Sequence, residues 1–226
     1  MKRTLIPVVL TAVIFLTCGI DEYYYLPQVE VSNINARFYT EADIEIPPIS
    51  LALYYYATGY TIFYRIYISE SENVPNDIRD INPTLASDFN AFLYVTDPTN
   101  AFRNRKYYVL SFAEKNNSDM LPLTGGTLHI NFSTSPGNPY PYASLDNNTN
   151  ISLHRDRAIN VGSPNLFFMN SPELRISSGN VDVETHTGEY AYVSMYIVAV
   201  GQNPENFSQI YSKPTHISIF KLPPNY

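Results

Sequence analysis

The chain reads as a mostly β protein, an antiparallel β-sandwich, on three observations. It holds 20 Tyr and 12 Phe but no Trp in 226 residues, and aromatic and β-branched side chains suit a pleated, half-buried surface. Its 17 prolines are scattered along the sequence, and inside a helix each would remove a hydrogen bond and clash with the preceding turn. Residues 60–69 alternate: Tyr60, Ile62, Tyr64, Ile66 and Ile68 share one face, and Phe63, Arg65 and Tyr67 the other.

In chain order, the first element is a leader. Met1-Lys2-Arg3 is a short positive start, and residues 5–16 are an apolar run broken only by Pro7 and Thr11. At 1.5 Å rise per residue the run is too short to cross a hydrocarbon core of about 30 Å as a permanent helix. It fits the apolar segment of a secretory signal peptide. The run ends in Phe15-Leu16-Thr17-Cys18-Gly19, and Cys18 is the only cysteine in the chain.

These residues resemble the end of a bacterial lipoprotein precursor, in which a box of small or apolar residues precedes an invariant, acylated cysteine. The box is a loose one: Phe15 stands where Leu is usual, and Thr17 where Gly or Ala is usual. With the stretch Asp21-Glu22-Tyr23-Tyr24-Tyr25 after it, the start is similar to uncharacterised spirochaetal lipoproteins. The resemblance implies a signal peptide over residues 1–17, cleavage before Cys18, palmitate-type acylation of that residue, and a lipidated tether over 18–27. It places the chain in the cell envelope, exported and held to a bilayer through Cys18, with the outer membrane or cell surface favoured. At about 0.8 kcal/mol per buried CH₂, two or three acyl chains hold a protein for practical purposes permanently. No cysteine is left to cross-link the mature part, so core burial must stabilise it.

Beyond the tether, strand signals recur over residues 28–38, 49–56, 60–69, 107–113, 127–132, 166–169, 190–200 and 209–220. Turn clusters separate them, among them Thr124-Gly125-Gly126, Ser135-Pro136-Gly137-Asn138-Pro139 and Gly201-Gln202-Asn203-Pro204. One short helix is predicted in the middle, with Asn82 as cap, Pro83 at its first position, and Leu85, Phe89, Phe92 and Leu93 on one face. Periodicity is weak over residues 73–180, which read as a long insertion in a sandwich spanning 28–226. Residues 140–151, rich in Asn, Pro and Tyr, read as a loop.

The two ends of the mature chain resemble fibronectin type III modules, within the immunoglobulin-like sandwiches. Gly59-Tyr60-Thr61-Ile62-Phe63-Tyr64-Arg65-Ile66-Tyr67 is similar to that family's third strand. Met195-Tyr196-Ile197-Val198-Ala199-Val200-Gly201 is similar to the sixth, and Tyr211-Ser212-Lys213-Pro214 with Ile217 and Ile219 to the last. The family's Trp on the second strand is absent, and the middle is about 80 residues too long. The resemblance implies a scaffold; a fold alone assigns no function.

Charge and motifs narrow the chemistry. Net charge is −7, and −9 once Lys2 and Arg3 leave with the leader; such a surface repels nucleic acid and anionic lipid. There is no nucleophile elbow, P-loop, dinucleotide-binding glycine pattern or His-Glu-x-x-His. No cofactor and no catalytic residue is assigned, although paired carboxylates would need no local signature. Asp182, Glu184 and His186 alternate with Val181, Val183 and Thr185. Same-face neighbours on a strand sit about 6.5–7 Å apart, too far to close on one ion, so a solvated face with inward valines is expected and no metal site. Arg155 and Arg157, and the cluster Arg103, Arg105 and Lys106, are expected to border strands and suppress edge pairing. Asn131, Asn150 and Asn206 each begin a glycosylation-type triplet, which carries no weight in a bacterial envelope protein.

Tyrosine runs remain: Tyr23-Tyr24-Tyr25, Tyr54-Tyr55-Tyr56, Tyr107-Tyr108 and the pair Tyr140 and Tyr142. Exposed Tyr offers a large amphipathic surface at low entropic cost. Tyr55, Tyr140 and Tyr142 are therefore the candidate ligand-binding residues. The expectation is a non-enzymatic envelope binding or adhesion module for a protein or glycan. The alternatives are a structural subunit of an envelope complex and, further off, a carbohydrate-active enzyme.

Overall fold

A computed structural model describes residues 24–37, 40–73, 107–112, 120–133, 141–146, 148–155, 168, 182–183 and 187–223. Its elements are β1 (Ser32–Arg37), β2 (Glu41–Ile46), a 3₁₀ turn (Leu51–Leu53), β3 (Ala57–Ser69), β4 (Tyr108–Val109), β5 (Ser111–Phe112) and β6 (Met120–Leu121). Then come β7 (Gly126–Asn131), β8 (Tyr142–Leu145), β9 (Ile151–His154), β10 (Tyr190–Gln202), β11 (Gln209–Tyr211) and β12 (Thr215–Lys221). The fold is mostly β, in two antiparallel sheets, as the alternation and turn spacing predict. Sheet one runs β1-β2-β7-β8-β9-β5; sheet two has β11 and β12 on one side of β10, then β3, with β4 and β6 on the far side of β3.

The 13-residue strands β3 and β10 are the centre of sheet two, paired from Ser69↔Tyr190 to Ala57↔Gly201. Alternation decides what faces inward. Tyr60, Ile62, Tyr64, Ile66 and Ile68 enter the main core with Ala191, Val193, Met195, Ile197 and Ala199. From sheet one they meet Ala42, Ile44 and Ile46 of β2, Leu128 and Ile130 of β7, and Ala143 of β8. Burying each of the larger side chains contributes roughly 1.5–3 kcal/mol. The opposite face of β3 and β10 is also buried: Phe63, Tyr107, Tyr196, Val198 and Val200 form one cluster, and Tyr67, Tyr192 and Ile219 another. Sheet one differs. Its outer face carries Glu41, Asp43 and Glu45 beside Thr127 and His129, the one-sided pattern of a sheet facing water.

Both flanks of the sandwich are joined. Between β4, which pairs with β3, and β5, which pairs with β9, the chain changes sheets, and the Leu110 N–H donates to the Ile62 carbonyl at 2.8 Å. On the other flank the segment before β1 lies against the start of β12. The Thr215 hydroxyl donates to the Val29 carbonyl at 2.7 Å, and the Gln28 side-chain amide donates to the Pro214 carbonyl.

Several sequence expectations change. Residues 49–56 are a 3₁₀ turn and a tight turn, not a strand; Pro47 and Pro48 end the ladder before them, since proline donates no hydrogen bond. Residues 140–151 are not one loop, because Tyr142–Leu145 pairs with both β7 and β9. The run 209–220 is two strands, divided by Ser212-Lys213-Pro214. Strands β2, β6 and β9 stand where none was predicted. Part of the interval 73–180 is integral to the sandwich, since β5, β7, β8 and β9 lie in it. Leu26, at the end of the predicted tether, is buried in the core. The predicted helix after Asn82 lies outside the described residues, and of 166–169 only Phe168, fully buried, is described.

Candidate functional site

The site grows from the chain between β2 and β3. After Pro47 and Pro48, the Ile49 N–H donates to the Leu123 carbonyl, and Ser50, Leu51 and Leu53 offer carbonyls to the N–H groups of Leu53, Tyr54 and Tyr56. These short-range bonds hold a tight turn that buries none of its three 3₁₀ residues. Leu51 is 80% exposed and Tyr55 68% exposed, while Tyr56 turns back and its hydroxyl donates to the Tyr25 carbonyl at 2.7 Å. Tyr25 itself is 61% exposed.

Two further apolar side chains flank this turn. On one side Met120 of β6 is exposed, with the Thr58 hydroxyl 3.7 Å from its sulfur. On the other, the Gln202 N–H at the end of β10 donates to the Tyr56 carbonyl, and its side-chain amide donates to the carbonyl of Phe207, which is 71% exposed. Thus the large apolar side chains that are exposed among the described residues (Tyr25, Leu51, Tyr54, Tyr55, Met120 and Phe207) all stand around the start of β3. Scattered single apolar residues are normal on a surface, whereas a cluster at one end makes that end the candidate contact surface.

The rings are ordered against each other. Tyr24, Tyr55 and Tyr56 pack edge to face, with centroids 5.5 Å apart for Tyr24 and Tyr56 and 4.6 Å for Tyr55 and Tyr56, an arrangement that favours the ring quadrupoles. Beside them opens a cavity of about 290 Å³, lined by Leu26, Val29, Pro47, Ile49, Leu53 and Tyr60 among others. A second, of about 110 Å³, lies between Leu121, Leu128, Ala143 and Leu145. Burial, and then Tyr55, raise the Tyr56 hydroxyl, and burial, with Tyr54, pushes Tyr60 up to about 12. Both of these phenols stay neutral at physiological pH. The surroundings carry carboxylates, Glu30 at the cavity and Glu205 in the β10–β11 turn. This surface suits apolar and stacking contacts.

Of the predicted ligand residues, Tyr55 belongs to this end. Tyr142 does not: it is half-buried on β8, on the outer face of sheet one, with its ring 5.9 Å from that of His129. Tyr140 lies outside the described residues, as do Cys18, Glu184, His186, Arg157, Arg103, Arg105 and Lys106. Leu51, Met120 and Phe207 were not predicted; an aromatic at a turn tip, Asn206-Phe207-Ser208, was the available signal for Phe207.

Asp182 and Arg155 correct the sequence reading. Asp182 is fully buried, not part of a solvated face, and Arg155 is buried, not a border residue. The Arg155 guanidinium donates to both Asp182 carboxylate oxygens, through Nε at 2.6 Å and through Nη2. The Tyr64 hydroxyl donates to the same carboxylate at 2.8 Å, and the Asp182 carbonyl accepts from the Ile66 N–H. Burial opposes the charge on Arg155, and the bonds from Asp182 outweigh it and raise its pKa above the usual arginine value. The pair sits between the end of β9 in sheet one and β3 of sheet two, with Phe168 packed on Tyr64, so its work is structural. Val183 is buried as predicted.

On sheet one, Asp43 bonds His129 at 2.7 Å, Glu41 accepts from Asn131, and Glu45 from Ser32. Among the described residues, no group of three or more His, Cys, Asp or Glu is placed to hold a metal ion, and no helix is long and apolar enough to cross a membrane. In comparisons with known proteins, no family model matches the chain, and no curated protein or solved structure matches it.

Proposed function

We propose that the chain is a lipid-anchored envelope lipoprotein, held through acylated Cys18, whose mature part is a non-enzymatic module that binds through the aromatic end at the start of β3. One observation carries the reading: the large apolar side chains exposed among the described residues gather at that end, beside a cavity of about 290 Å³. Apolar groups clustered in water favour a contact surface.

The pairing of strands supports the fibronectin-type resemblance. The strand with the Gly59-Tyr60 start pairs with the strand ending in Ala199-Val200-Gly201, and β11 and β12 follow on the far side of the latter, which is the order of strands C, F and G in such sandwiches. Sheet one departs from that scheme by carrying β5, β8 and β9 beside β7. The assembly role is favoured less, because the segment before β1 is tied to the start of β12 across the flank through the Val29–Thr215 and Gln28–Pro214 bonds.

The test is to place a photo-reactive phenylalanine at position 55 or at position 142 and irradiate native membranes. Adducts from position 55 and none from position 142 are expected. Adducts from 142 alone would move the binding surface to sheet one and overturn the proposal.

A further inference from the structure

We infer that the partner of the aromatic end is the interface of the bilayer that holds the chain's own lipid, so that the module lies end-on against a zwitterionic membrane surface. The inference rests on acylation of Cys18 and names the occupant of the site described above.

Chain length and place of entry argue for it. Cys18 stands six residues before Tyr24 in the sequence, and six residues span at most about 22 Å at 3.3–3.6 Å each. Tyr24 packs on Tyr55 and Tyr56, and the Tyr25 carbonyl holds the Tyr56 hydroxyl. The tether therefore joins the body at the aromatic end. Acyl chains on Cys18 would keep that end within about 22 Å of the membrane.

The chemistry of the end matches such a location. Tyr concentrates at membrane–water interfaces because one end of the ring system is apolar and the other is wet. Here Tyr25, Tyr54 and Tyr55 supply rings and hydroxyls together, and Leu51, Met120 and Phe207 supply the apolar points that enter the headgroup boundary. Charge sets the lipid class. Glu30 and Glu205 flank the end, and Asp21 and Glu22 lie in the tether, so anionic headgroups would be repelled and zwitterionic ones accepted.

Because the chain has no Trp, one introduced Trp reports its own depth. The acylated full-length protein carrying Tyr55→Trp is reconstituted into phosphatidylcholine vesicles, with Tyr142→Trp as the comparison. Vesicles with brominated acyl chains are expected to quench Trp emission at position 55 severalfold and leave position 142 unchanged. Leu51→Glu with Phe207→Glu in the Tyr55→Trp background should abolish the quenching while the protein still floats with vesicles through Cys18. Flotation without quenching at position 55 would overturn the docking and leave the anchor intact. Quenching at 55 in a Cys18→Ser protein that still floats would overturn the inference that acylation of Cys18 seats this end. A protein that neither floats nor quenches would refute both. A photo-adduct at position 55 with protein or glycan, and none with lipid, would replace the bilayer by that partner.

Discussion

Phe207 holds φ 58° at the tip of the β10–β11 turn, in the left-handed region that costs a side-chain-bearing residue about 1–2 kcal/mol. The ring is exposed and offsets little of that cost by packing. Asn tolerates this conformation, so Phe207→Asn should raise stability by about 1 kcal/mol in urea unfolding; a loss would show that the ring supports the turn. The Arg155–Asp182 pair behaves oppositely. Arg155→Met strands a buried carboxylate and should cost about 3–5 kcal/mol, much of it recovered when Asp182→Asn is added. A cost below about 1 kcal/mol would mean that water reaches Asp182. Neither partner was legible in the sequence, because they are 27 residues apart and the approach of β9 to β3 brings them together. Asp182 and Val183 look like an alternating strand edge until Tyr64 and Arg155 are known to converge on the carboxylate.

Elements were readable where alternation ran long. Residues 60–69 predicted β3 because a two-residue period sustained over ten positions leaves little ambiguity, and 190–200 predicted β10 as an apolar, β-branched and aromatic run that ends at a Gly-Asn-Pro turn cluster. Shorter strands offer too few positions. β2, Glu41-Ala42-Asp43-Ile44-Glu45-Ile46, alternates well, but its three acids are poor strand formers by composition. Residues 49–56 misled for the opposite reason: Leu and Tyr suit strands, yet the preceding prolines and local carbonyl bonds close a turn that sets Leu51 and Tyr55 in solvent. The tyrosine run thus pointed to the exposed aromatic end, while its exposure came from the turn. The glycine turn was legible and is exacting. Gly125 holds φ +66°, and a Cβ there would lie 2.2 Å from the Ile46 carbonyl oxygen. Gly125→Ala should lower stability by more than about 1 kcal/mol, read from the denaturant midpoint; an unchanged midpoint would mean that the β6–β7 turn yields freely.

For the molecule as a whole, tyrosine replaces tryptophan in the core and brings a pH limit with it. Burial raises Tyr60 to about 12, lifts Tyr107 well above its ordinary value with help from Tyr67 and Tyr196, and raises Tyr192 with help from Glu72. Unfolded tyrosine titrates near 10. Above that pH the unfolded chain releases protons that the folded one retains, so stability is full below about pH 10 and falls as the pH climbs toward 12. Urea midpoints should be level from about pH 8 to 9.5 and drop steeply by about pH 11.5; a flat profile would show that these hydroxyls ionise freely in the folded state. With no cysteine after Cys18, reducing agent should leave the profile unchanged.

The proposed seating of the aromatic end on a bilayer rests on acylation of Cys18, and intact mass measurement of the protein extracted from its native membranes tests that acylation directly. The account predicts a chain that begins at Cys18 and carries the added mass of a diacylglyceryl group. An unmodified chain, or one that begins at another residue, would contradict it.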